Sequence, residues 1–83
     1  MTGWLLCQLD SGMFSDEVVV SYPASPSHRQ RSGFVHRSFV RSASEHQGEV
    51  KVRVLIHDGR KFAVLPTPDG DIVSVEDADL RQQ

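Results

Sequence analysis

The chain is poor in the residues that usually announce a chemistry. It has a single cysteine, Cys7, so no intramolecular disulfide can form and no cysteine pair exists to hold zinc. Cys7 lies in an apolar stretch with no base beside it, which suits a small buried hydrophobe better than a reactive thiolate. The six glycines are scattered singly, which excludes a phosphate-cradling loop and a dinucleotide fingerprint. No G-x-S-x-G elbow is present, and Ser11-Gly12 and Ser32-Gly33 read as turn dipeptides. His28, His36, His46 and His57 are spaced eight, ten and eleven residues apart, which matches no metal-ligand pattern. The sequence therefore gives no catalytic residue, no metal site and no cofactor, and the expectation is a protein that is not an enzyme.

Long apolar runs are also missing, so no segment can span a bilayer as a helix. Trp4-Leu5-Leu6-Cys7 lacks the basic flank and length of a signal peptide, and the expected location is the cytoplasm. Aromatic residues are few: four phenylalanines, one tryptophan and one tyrosine. A chain of 83 residues reads as one domain, 1–83, with a core that draws on Phe34 and Phe39.

What is present is β-structure. In 49–57 the apolar residues Val50, Val52, Val54 and Ile56 alternate with mostly polar ones; Asp58-Gly59 follows, then a second apolar run. This is a hairpin in a half-buried antiparallel sheet. A three-residue loop, His57-Asp58-Gly59 with a bulge at Gly59, would set Val54 opposite Phe62 and Val52 opposite Val64 on one buried face. Residues 3–9 predict a first strand with Leu5, Cys7 and Leu9 on one face and Trp4 and Leu6 on the other. Residues 17–22 predict a second, Val18, Val20 and Tyr22 facing one way and Val19 the other; consecutive valines favour a strand over a helix. Pro23 to Gly33 predicts a long loop. Residues 34–40 fit a strand, although Val35 and Phe39 also stand at helical spacing, and 42–48 read as a polar connection. Pro68-Asp69-Gly70 predicts a second tight turn with Gly70 left-handed, then a strand over 71–75. The tail, Glu76 to Arg81, predicts one helical turn that docks Leu80.

Five or six short strands with tight turns predict an all-β chain that closes as a small, strongly bent antiparallel barrel. The final strand followed by Asp79-Leu80 resembles the closing strand and short turn of SH3-like barrels. That resemblance covers about the last thirty residues by shape, and it implies a module that binds protein, peptide or nucleic acid.

Two stretches are candidates for contact. Residues 21–47 carry Arg29, Arg31, Arg37 and Arg41 against Glu45 alone, while the whole chain is acidic, with a net charge of −2. Arginines beside Phe34 and Phe39 could serve single-stranded RNA or DNA, cations for phosphate and rings for stacking, through the basic stretch 28–41. Met13 and Phe14 stand in a turn where polar residues are expected. Phe14 either folds back to plug one mouth of the barrel or presents a contact surface. The first expectation is a binding module for a protein or peptide partner, using Met13, Phe14 and the 23–33 loop; nucleic acid is the alternative. Apolar residues on both faces of the first two strands would also suit a homodimer.

Overall fold

The computed structural model describes residues 1–12, 14–25, 30–41, 43–44 and 46–82. Met13, Arg29 and His28, named above, lie outside the described residues. The strands are β1 (Thr2–Ser11), β2 (Glu17–Tyr22), β3 (Arg31–His36), β4 (Val40–Arg41), β5 (Gln47–His57), β6 (Arg60–Val64), β7 (Ile72–Ser74) and β8 (Leu80–Gln82). Short 3-10 turns occupy Arg37–Phe39 and Asp77–Asp79. No helix among the described residues is long and apolar enough to cross a membrane.

One antiparallel sheet runs β3-β2-β1-β5-β6-β7, with β4 also on β5 and β8 also on β1. The long strands β1 and β5 lie side by side, from Thr2 opposite Arg53 to Gln8 opposite Gln47. The far edge of each serves two short strands. On β1, Gln8 to Ser11 pair with β2 and Gly3 to Leu5 with β8. On β5, Arg53 to His57 pair with β6 and Glu49 and Val50 with β4. Long strands that change partner midway must bend, and the sheet wraps into a nearly closed barrel.

The inner wall follows the alternation of the strands: Leu5, Cys7 and Leu9 from β1, Val18, Val20 and Tyr22 from β2, and Val50, Val52 and Val54 from β5. Val35, Ala63, Leu65, Val73 and Val75 complete the core. No phenylalanine belongs to it. Phe34 and Phe39, expected inside, are exposed, and so is Phe14, which therefore plugs nothing. Cys7 is fully buried, and burial pushes its thiol up to about 12.

Four sequence expectations are corrected. The hairpin is not bulged: Val54 lies opposite Ala63, and Leu55 opposite Phe62. Asp58 and Gly59 both have positive φ, 52° and 75°, which is a two-residue type I′ turn whose twist matches the strands it joins. Phe62 consequently faces outward and Ala63 fills the narrow interior. Strands number eight rather than five or six, because β4 and β8 are very short and exist through pairing with β5 and β1. The 23–33 loop is shorter than expected, since pairing with β2 begins at Arg31, and Ser32-Gly33 lies inside β3 rather than in a turn. The predicted strand over 34–40 stops at His36, where the 3-10 turn Arg37–Phe39 interrupts it.

The ends agree better. Gly70 is left-handed with φ 64°, and its amide donates to the Thr67 carbonyl at 3.0 Å. The tail makes its helical turn at Asp77–Asp79, and Leu80 packs against the core.

Candidate functional site

The main sheet order leaves β3 and β7 as its two ends, and the gap between them is a seam in the barrel. The connection from β6 to β7 crosses it. Thr67, on that connection, is buried; its Oγ1 donates to Asp71 Oδ2 at 2.9 Å and accepts from the Asp71 amide at 3.1 Å. It sits so close to Gly33 of β3 that a Cβ there would lie 2.6 Å from Thr67 Cγ2. Glycine at 33 is thus required by the approach of a neighbour, not by a turn. Pro66 and Pro68 flank Thr67 and have no N–H to give the β3 edge, so the ladder cannot zip shut here.

Beside this contact the seam opens into a groove of about 810 Å³ lined by Phe14, Phe34, Phe39, Pro66, Pro68 and the acidic pair Asp16 and Glu17, among others. Its three rings come from three separate segments. Phe34 stands on the outer face of β3, opposite Val19. Phe39 ends the 3-10 turn that His36 caps, the imidazole Nδ1 accepting from the Ser38 amide at 3.1 Å. Phe14 stands in the β1–β2 turn, closed by the Glu17 amide donating to the Phe14 carbonyl at 3.1 Å. The rings are 64%, 49% and 38% exposed for Phe14, Phe34 and Phe39. His36 Nε2 lies 3.7 Å from Asp16 Oδ2, and His36 also lines the groove.

The described arginines of the 28–41 stretch, Arg31, Arg37 and Arg41, are not brought together. Arg37 acts as a strut: its amide donates to the Asp16 carbonyl at 2.7 Å and its Nε to the Ser15 carbonyl at 3.0 Å, holding the turn that carries Phe14. Arg41 lies over Trp4, its Cζ 3.8 Å from the ring centroid, with its Nε 3.2 Å from Glu49 Oε1. Arg81 reaches Glu49 Oε2 at 3.5 Å. Arg31 lines a different hollow, with Tyr22, Pro23, Ile72, Glu76 and Asp79. There Tyr22 donates to Asp79 Oδ2 at 2.7 Å and accepts from the Glu76 amide at 3.0 Å. Among the described residues no three His, Cys, Asp or Glu side chains gather to hold a metal.

Of the residues proposed from sequence, the structure places Phe14 in the groove, Arg37 beneath its turn, and Arg31 and Arg41 elsewhere. Sequence reasoning missed Pro66, Pro68, Asp16, Glu17 and His36 as groove residues. The doubled proline around Thr67 was the available signal, since two missing donors between strands mark a place where a ladder stops. A second apolar strip, Leu55, Phe62, Val64 and Ile72, lies on the outer face of β5, β6 and β7. The chain matches no protein-family model, no curated protein and no solved structure.

Proposed function

We propose that this chain is a single-domain, non-enzymatic cytoplasmic module of SH3-like architecture that binds a peptide segment of another protein in the seam groove. One observation carries the reading: all four phenylalanines lie outside the core, and three of them converge on one concave surface. Scattered exposed apolar residues are ordinary, but a cluster of rings in a groove is what a binding surface requires. Two arginines of the 28–41 stretch support the same choice over nucleic acid binding there. Arg37 and Arg41 are engaged by a turn and by Trp4 and Glu49, and the groove's own charges are acidic. Phosphate recognition needs free cations along one track.

The test is selection of binding peptides from a random 12-residue phage library on the immobilised chain, then mapping the site by amide chemical shifts. The expected result is perturbation centred on 14–17, 34–39 and 66–68, with at least a tenfold loss of affinity in Phe34→Ala. Perturbation confined to the Leu55–Ile72 strip would refute the groove. So would tight, salt-sensitive binding of a single-stranded oligonucleotide in place of peptide.

A further inference from the structure

Resting on the groove as a peptide site, we infer that its ligand binds as an extended strand added to the open edge of β3, with a cationic side chain against Asp16 and Glu17. Hydrogen bonding along β2 and β3 fixes which backbone groups are available. The Arg37 amide bonds to the Asp16 carbonyl, so Asp16 and Arg37 occupy a hydrogen-bonded position of the antiparallel ladder. Alternation along the register then makes Glu17–His36, Val19–Phe34 and Ser21–Ser32 the non-hydrogen-bonded pairs. The Ser21 and Ser32 hydroxyls, 2.8 Å apart, agree, because side chains approach most closely at such positions. The N–H and C=O groups of Phe34 and the N–H of His36 therefore point away from β2, toward the groove side of β3; the His36 carbonyl is taken by the 3-10 turn that follows. Among the described residues no backbone partner meets the others there.

An edge of this kind is a template for another strand. The opposite wall cannot satisfy it at Pro66 and Pro68, which lack donors. Phe34 lies on the outer face of the same strand, with Phe39 and Phe14 beyond it, so a chain laid along the edge would set alternate side chains against the rings. Charge selects among such chains. The titratable groups lining the groove are Asp16, Glu17 and His36, so with neutral histidine it carries two negative charges and favours Lys or Arg in the ligand.

The probe is the most enriched peptide from the 12-residue library, made synthetically together with a scan of its single N-methylated variants. Added-strand binding predicts a two-residue periodicity: N-methylation at alternate positions costs at least tenfold in affinity, and at intervening positions little. It also predicts slowed exchange of the Phe34 and His36 amides on binding. The double variant Asp16→Asn, Glu17→Gln should lose at least fivefold, and replacement of the peptide's Lys or Arg by norleucine should lose a similar factor. Groove shifts without the N-methyl periodicity, as a polyproline-type ligand would give, would overturn the added strand and leave the groove standing. Enrichment of acidic peptides, or binding indifferent to the Asp16 and Glu17 substitutions, would overturn the charge assignment. No peptide binding at the groove would overturn both readings together.

Discussion

Gly33→Ala tests whether β3 is docked on the β6–β7 connection, the contact that creates the groove. In an ordinary strand this change should stabilise by about 0.5–1 kcal/mol, because alanine loses less backbone freedom on folding than glycine. Here the new Cβ would fall 2.6 Å from Thr67 Cγ2 and 3.5 Å from Asp71 Oδ2. Thr67 cannot rotate away cheaply, since both its hydrogen bonds to Asp71 would break, at about 1 kcal/mol each. Overpacking of this kind costs about 1–3 kcal/mol, so the net expectation is a loss of about 1–2 kcal/mol. Guanidinium unfolding should show a lower midpoint at unchanged slope. The cause can be separated from a general loss by adding Thr67→Ser, which removes Cγ2 and keeps both hydrogen bonds. The double variant should recover most of the loss, with a coupling of about 1 kcal/mol or more. A neutral or stabilising Gly33→Ala, or a Thr67→Ser that fails to rescue it, would refute the docking of β3 at the seam.

Other outcomes follow from single contacts. Gly59→Val should cost about 1–2 kcal/mol in denaturant unfolding, because φ there is 75°, whereas Asp58→Asn should stay within about 0.5 kcal/mol. Phe14→Ala should also stay within about 0.5 kcal/mol, since the ring is largely exposed, while Leu5→Ala should cost about 2–5 kcal/mol. Arg41→Met should cost about 1–2 kcal/mol and alter the near-ultraviolet signal of Trp4, because it removes the cation over the ring and leaves the largely buried Glu49 carboxylate to Arg81. Burial, aided by Asp79, raises both Cys7 and Tyr22 to about 12. Both are acids whose folded values lie above their unfolded ones, so the unfolded chain loses protons first. Stability should be level below about pH 8 and fall as pH rises toward 12, and Tyr22→Phe with Cys7→Val should flatten that fall.

The sequence made β2 legible to the residue, because three valines and a tyrosine lie between an acidic turn and a proline. The inner faces of β1, β2 and β5 were legible for the same reason: alternation is a local property of a strand. The register of the β5–β6 hairpin was not. Setting Val54 opposite Phe62 assumed that Phe62 belongs inside, whereas Ala63 takes that position in the core and Phe62 turns out. β4 and β8 left no local trace because their strand geometry comes from partners across the sheet. Phe14, Phe34 and Phe39 converge with Pro66 and Pro68 only through barrel closure, which no periodicity encodes.

The arrangement of aromatics is costly for a chain this small, and that cost bears on function. A phenylalanine side chain offers on the order of 200 Å² of burial, at roughly 25 cal/mol per Å². Leaving about half of each of three rings in water therefore forgoes on the order of 2–3 kcal/mol per ring. That sum is comparable to the whole stability expected of a domain below about 100 residues. The core meanwhile closes with valine, leucine, alanine, one cysteine and Tyr22, so the phenylalanines are not left over from an interior that could not be filled. They are held in place by specific contacts: Arg37 braces the turn of Phe14, His36 caps the turn of Phe39, and Gly33 lets β3 press against Thr67 beside Phe34. Contacts that fix exposed apolar side chains in position stabilise the free chain little. They lower the ordering cost of a partner, which recovers the forgone burial when it covers the groove.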